Sequence, residues 1–379
     1  MSISPASLTS PLPFPLMDWA YWYGKPVSTA KFKQVLSDFK VVEDIGFSPS
    51  GEGEHIFLLI EKTQLNTAYV AEQLAAFTGL PLRNISYAGR KDKFSISTQW
   101  FGVHCPGKKS FAWDEFDLKG VVIKSVSRHD KKLKTGALKR NAFTIVLRDV
   151  SDISAVQQRL DNIATGGVPN YFGSQRFGEV RYLDEAGQQC TKFGGNLTLA
   201  ENLYNGKGIK NRNKRSVAIS ALRSWLFNTY ISEKIRQETF ATVTSGDVCI
   251  LSGSNSFFTA DKADASIQQR LVDRDIVLSA PMWGAGELAA NDDAAVFEQT
   301  LAAHYPEITN CLVDLGLKQE RRAIHLWPEN LVHRVIDTQH IEVSFGLPKG
   351  CFATSILREV VQFTTNDATD HCAVNQLPE

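Results

Sequence analysis

The run HIFLLIEK, His55 to Lys62, limits what this chain can fold into more than any other stretch. Successive side chains of a strand point to opposite faces. Ile56, Leu58 and Ile60 then face one way and Phe57 and Leu59 the other, so both faces are apolar. Such a strand belongs in the interior of a sheet covered on both sides. Its neighbours supply the sheet. DFKVVEDIGF (38–47) reads as a strand, followed by the Ser/Gly/Pro turn SPSGEGEH. NISYAG and STQWFGVHC are strands on either side of a basic loop, and GVVIKSVSR and NAFTIVLRDV add two more. Helices supply the cover. One starts at Asn66 as N-cap, carries Val70, Leu74 and Phe77 on one face and stops at Gly79. Another, SDISAVQQRLDNIA, is capped by Ser151 or Asp152. Hairpin-paired strands with helices laid against them indicate an α+β domain.

The pattern changes at GGVPNYFGSQRFG (166–178). Helical periodicity dominates from about 215 to 238, then near 261–273 and 292–317. Strand character returns at HIEVSFGLPKG (340–350), followed by a helix in SILREVVQFT. The last strand and helix are expected to rejoin the first domain, which makes the middle an insertion. A length of 379 residues suits two domains.

Composition removes several function classes. Lys plus Arg and Asp plus Glu balance at 41 each, so affinity for nucleic acid must come from local patches rather than net charge. The N-terminal apolar run is broken by Pro11, Pro13 and Pro15 and has no charged leader, so neither a signal peptide nor a membrane span is expected, and the chain reads as cytoplasmic. Six cysteines, at 105, 190, 249, 311, 351 and 372, include no Cys-x-x-Cys and suit reduced thiols. The adjacent pairs His104–Cys105 and His371–Cys372 lack the spacing of a zinc motif, and no phosphate loop, nucleophile elbow or dinucleotide fingerprint occurs. No metal and no cofactor is expected.

The loop SYAGRKDKFSISTQW (86–100) holds one acid, Asp92, among Arg90, Lys91 and Lys93. A solvated turn with a surface ion pair would account for it and would stabilise little. Two basic clusters stand elsewhere. One runs from Lys124 to Arg140 with Asp130 as its single acid; the other is KGIKNRNKR, 207–215. Such runs are often solvated faces, but cations interleaved with Asn and Gly also fit a phosphate backbone. Lys131, Lys132 and Arg140 in the first cluster, and Lys210, Arg212, Lys214 and Arg215 in the second, are the candidate contacts, suited to a folded RNA spanning both domains. Asn141 lies two residues before Phe143, so on a strand an amide and a ring share one face. That pair can bond a base edge and stack its plane.

With these residues in place, the chain resembles the TruD family of tRNA pseudouridine synthases over nearly its full length. The matching segments include DFKVVEDIGF, GEGEHIFLLIEKTQLNTAYVAEQLA, AGRKDKFSISTQWF, GALKRNAFTIVLR, GVPNYFGSQRFG, NRNKRSVAISALRSWLFN and LPKGCFATSILRE, in the family's order. The resemblance implies a pseudouridine synthase catalytic domain (1–166 with 318–379), built on a mixed, largely antiparallel sheet with flanking helices. A helix-rich α+β insertion domain (167–317) would interrupt it. The resemblance puts Asp92 at the catalytic aspartate, Lys33 at the lysine near it, and Phe39, Asn141 and Phe352 at the target-base pocket, with Phe143 beside them. Lys91 is a further candidate substrate contact. Arg140 departs from the family's usual glycine, and Ser95 and Ser97 from its alanine and threonine.

The implied substrate is tRNA, with uridine 13 of the D arm as target; a monomer is the default expectation, because the sequence shows no obvious heptads or large exposed apolar run. The implied chemistry detaches uracil at N1 and rejoins it through C5, which needs neither cofactor nor metal. It needs an ionised carboxylate near the sugar C1′. Burial raises a carboxyl's pKa and a nearby lysine lowers it; whether that lysine is Lys33 or Lys91 is left open by the sequence. Rival readings are an RNA-binding or chaperone protein on the same scaffold, and an unrelated metal-dependent nuclease or phosphotransferase, which would want clustered carboxylates.

Overall fold

The computed structural model describes residues 18–364 except 108, 184–188, 255 and 263. The proline-broken N-terminal run and the His371–Cys372 pair lie outside the described residues. Two compact units make up the rest: residues 25–167 with 327–364, and residues 18–24 with 168–326.

The first unit begins with β1 (Thr29–Phe32), β2 (Phe39–Asp44) and β3 (His55–Thr63). Helix α1 (Thr67–Thr78) follows, ended by Gly79 in the left-handed region at φ 68°. That conformation suits glycine because it has no Cβ to clash. Then come β4 (Ile85–Tyr87), β5 (Ile96–His104), β6 (Val121–His129), β7 (Arg140–Arg148) and α2 (Ile153–Gly166). Of the two candidate caps for α2 it is Asp152 that accepts the Ala155 N–H.

The second unit carries β8 (Val168–Pro169), β9 (Glu179–Leu183), β10 (Gln189–Phe193), α3 (Gly195–Tyr204) and the 25-residue α4 (Arg212–Arg236). It continues with β11 (Val248–Leu251), β12 (Phe257–Thr259), α5 (Ala265–Val272), β13 (Ile276–Met282), α6 (Asp292–Ala303), α7 (Pro306–Asp314), β14 (Glu320–Ala323) and β15 (His325–Leu326). A four-stranded sheet, ordered β12-β11-β13-β14, packs beside α4, which buries Trp225, Phe227 and Tyr230. The NYFG step is a knot of this unit: the Asn228 side chain of α4 bonds both the N–H and the C=O of Phe172. Residues 18–24 join it through Trp19, whose ring meets Tyr171 and Phe177.

The chain returns to the first unit as β16 (Glu329–Val335), β17 (Ile341–Pro348), α8 (Ala353–Val360) and β18 (Gln362–Phe363). The resulting ten-stranded sheet runs β16-β17-β7-β2-β5-β3-β6, with β1, β4 and β18 off that path. Only β2–β5 and β1–β18 pair in parallel, so the sheet is mixed and largely antiparallel, and the fold is α+β. β3 is buried on both faces, as its sequence requires: Ile56, Leu58 and Ile60 pack under α1, and Phe57 packs with Ile45 and Leu133 on the other side. Toward β2 the sheet becomes one-sided. Phe39, Val41 and Glu43 are buried there while Lys40 and Val42 are exposed. On the buried face Lys62, Ser97, Val41, Phe143 and Phe345 stand abreast across five strands.

Candidate active site

The loop from Ala88 to Ser95, between β4 and β5, crosses this face at the start of α1. Its position is fixed by polar side chains the face supplies. Thr67, the first residue of α1, accepts the Lys91 N–H at 3.0 Å and donates to Gln99 Oε1 at 2.8 Å, while Gln99 Nε2 donates to the Gly89 carbonyl at 3.1 Å. Lys91 Nζ meets Glu43 Oε2 at 2.6 Å in a pair that is almost wholly buried, and the other Glu43 oxygen accepts the Trp100 N–H at 3.2 Å. Lys91 is therefore committed to Glu43. The lysine paired with Asp92 is Lys33, its Nζ 2.7 Å from Asp92 Oδ2.

Lys33 follows β1 at φ 57°, a left-handed conformation uncommon outside glycine. It turns the side chain inward, where only 5% of it is exposed, whereas a third of the Asp92 side chain remains open to solvent. The Lys33 ammonium sits 4.1 Å from the Phe39 ring centroid and 5.3 Å from that of Phe32, a cation–π contact. Phe39 continues to Phe143 at 6.0 Å between centroids, and Phe143 to Phe345 at 5.6 Å. Asn141 pairs with Glu43 in the β2–β7 register, so it shares the face with Phe143. Its Oδ1 is buried without a hydrogen-bond partner. Four sequence candidates, Asp92, Lys33, Phe39 and Phe143, thus form one connected cluster, and Asn141 stands next to it along β7. Phe352 is the N-cap of α8, four residues past the end of β17, whose last residues pair with Arg140 and Asn141.

Two buried charges bonded to this loop were not among the candidates. Glu43 is one. Lys62 is the other: it is fully buried, and its ammonium donates to the main-chain oxygens of Leu65 at 2.7 Å and Asp92 at 3.2 Å. Burial pushes its pKa down to about 8, against the pull of Asp92. Both could have been read from the period of two, because Lys62 continues the Ile56–Leu58–Ile60 face and Glu43 the Phe39–Val41 face. Ser95 also holds the loop, its Oγ donating to the Asp92 main-chain oxygen at 2.7 Å, while the buried Oγ of Ser97 has no hydrogen-bond partner.

Lys131 and Lys132 are exposed beside Leu133, which anchors their turn in the core. Arg140 bridges Asp44 and Glu329, at 2.8 Å to each, and these bonds raise its pKa. In the other unit Lys210, Arg212, Lys214 and Arg215 are exposed around the start of α4, where Asn211 caps the helix. Helix N-termini favour acids, so these cations do not serve the helix. Among the described residues no cluster of three or more His, Cys, Asp or Glu side chains could hold a metal ion, and no helix is long and apolar enough to cross a membrane.

A single carboxylate, ion-paired to a buried lysine and lying near a row of rings, can stabilise positive charge at a sugar carbon while aromatic walls receive a flat base. Chemistry of that kind would suit an enzyme acting at a glycosidic centre. The family model described as tRNA pseudouridine synthase D (TruD) matches residues 19–216 and 211–360. A tRNA pseudouridine synthase D of Pseudoalteromonas atlantica is 50% identical over 349 residues, covering 92% of this chain and 97% of the relative. One from Colwellia psychrerythraea is 41% identical over 372 residues, covering 95% and 98%. A solved Methanosarcina mazei chain assigned to the same family shares the fold, with a TM-score of 0.66 at 17% identity over 91% of this chain and 94% of that one. The chain belongs to the tRNA pseudouridine synthase D (TruD) family, and its enzyme class is isomerase.

Proposed function

We propose that the protein converts uridine 13 in the D arm of tRNA to pseudouridine, with Asp92 as the catalytic carboxylate. It works as a cytoplasmic monomer and needs no metal or cofactor. The unit built on the large sheet is the catalytic domain in this reading, and the unit containing α4 is the family's insertion. The N1–C1′ bond breaks, the uracil turns, and a C5–C1′ bond forms; the C5 proton leaves to water and N1 gains one. Asp92 attacks C1′ or stabilises the cation there. Lys33 holds that carboxylate in place, and the 2.7 Å Lys33–Asp92 pair against the ring of Phe39 is the observation that carries the reading. The target nucleotide must leave its stack, which costs a few kcal/mol. Phe39, Phe143 and Phe352 offset this by stacking, and Asn141 reads the uracil edge with an acceptor that is unmet in the protein alone. Lys131, Lys132, Lys210, Arg212, Lys214 and Arg215 contact phosphates; Arg140, occupied by two carboxylates, contributes less.

The test is tritium release from tRNA transcribed with C5-tritiated uridine, without added metal or cofactor. Release that Asp92→Asn abolishes while tRNA affinity stays within about threefold supports the assignment. A variant that retains the wild-type rate removes Asp92 from the mechanism. Mapping the product to a uridine other than 13 refutes the position.

A further inference from the structure

Lys62 is hard to explain as a structural residue. A fully buried lysine is rarely tolerated without a carboxylate partner. Among the described residues Lys62 has none; its hydrogen bonds go to two main-chain oxygens. The groups facing it are Asp92 and Lys91 from the loop, and Lys91 is already neutralised by Glu43 of β2. From β5 the cross-strand neighbour is the uncharged Ser97. A leucine or methionine would complete the apolar face that Ile56, Leu58 and Ile60 begin. The lysine has one evident use: it ties the main-chain oxygen of Asp92 to that of Leu65, just before α1, while Lys33 holds the carboxylate from the other end.

We propose that Lys62 is a positioning residue for Asp92, whose buried ammonium fixes the backbone of the loop and so the place of the carboxylate. The inference rests on Asp92 being the catalytic group. The depressed pKa of Lys62 adds a signature, because the tie weakens as the ammonium loses its proton near pH 8.

The experiment measures single-turnover tritium release and tRNA affinity from pH 6 to 10 for four proteins: wild type, Lys62→Met, Lys62→Ala and Asp92→Asn. Misplacing a reacting group by about 1 Å can cost about 100-fold, so Lys62→Met is expected to be ~10- to 100-fold slower at pH 7 with Kd within twofold. The wild-type rate should fall above pH 8, and this limb should be missing in Lys62→Met. Added propylamine should restore at least tenfold to Lys62→Ala, with propanol and matched salt restoring nothing. A folded Lys62→Met that keeps the wild-type rate and pH profile, or loses only affinity, overturns the proposal. If Lys62→Met fails to melt cooperatively, Lys62→Ala decides, and absence of amine rescue in the folded protein overturns it. Wild type without tritium release, or an active Asp92→Asn, instead refutes the catalytic reading beneath it.

Discussion

The buried Lys91–Glu43 pair offers a sharp test of how the Asp92 loop is held. Glu43 is fully shielded, Lys91 has 7% of its side chain exposed, and their charged atoms are 2.6 Å apart. Replacing Lys91 by Met leaves the Glu43 carboxylate with one remaining donor, the Trp100 N–H at 3.2 Å. Breaking a buried pair from one side typically costs about 3–5 kcal/mol, because the stranded charge keeps its desolvation penalty. For a unit of this size about 1 kcal/mol moves the melting temperature by ~2–4 °C. Calorimetric melting of Lys91→Met should therefore show the transition of this unit lowered by roughly 6–20 °C. The double variant Lys91→Met/Glu43→Leu removes both charges and should recover most of that loss, since apolar replacements of buried pairs are often neutral. It should still be slow in catalysis, because the loop has lost its anchor beside Asp92. A single variant melting within about 2 °C of wild type would refute the reasoning, as would a double variant melting no higher than the single one.

Lys62 reverses the usual expectation for a lysine. Its folded pKa lies near 8 against an ordinary 10.5, so below pH 8 both states carry the proton and burial stands against folding by about 3 kcal/mol. Between about pH 8 and 10.5 the unfolded chain holds more protons and stability rises. Lys62→Met should thus unfold at higher urea than wild type at pH 7, with the advantage shrinking toward pH 10.5. In the second unit Gly246 has φ +80°, and an added Cβ would lie 1.8 Å from the Asn291 carbonyl oxygen. Gly246→Ala should lower the urea midpoint of that unit by the equivalent of more than about 3 kcal/mol. The salt dependence of tRNA binding separates the cations: Lys131→Gln and Lys132→Gln should each reduce the log–log slope by about 1, whereas Arg140→Gln should leave it nearly unchanged.

Much of the first unit was legible because its signals are local. The period of two in HIFLLIEK, Gly79 as helix stop and the polar cap of α2 each act within a few residues. Long-range register was not legible. Nothing near Glu43 announces that Asn141 lies opposite it, or that Lys91 rather than Lys33 takes its charge. The strand ENLVHRV was not read, because it has few apolar residues and forms an edge of the sheet. The strands of the second unit's sheet were expected but not placed, because IVLSAPM sits among helical periodicities and its almost wholly buried run carries no period. Lys62 and Glu43 were visible as charges in phase with buried faces, but the same pattern describes a strand fraying into solvent, and only pairing distinguishes the two.

The excursion of the chain between α2 and β16 has a consequence in time as well as space. Phe345 pairs with Phe143 across β17 and β7, yet it is synthesised some two hundred residues later. At ~5–20 residues per second that interval is roughly 10–40 s. Throughout it β7 has a bare edge on the side that β17 will occupy, with Ile145 and Leu147 among its residues. An unpaired, apolar strand edge is a template for wrong partners. The nascent protein therefore carries its Asp92 loop long before the sheet beneath it is complete, and ribosome pauses within the inserted segment would lengthen the period in which chains can misassociate.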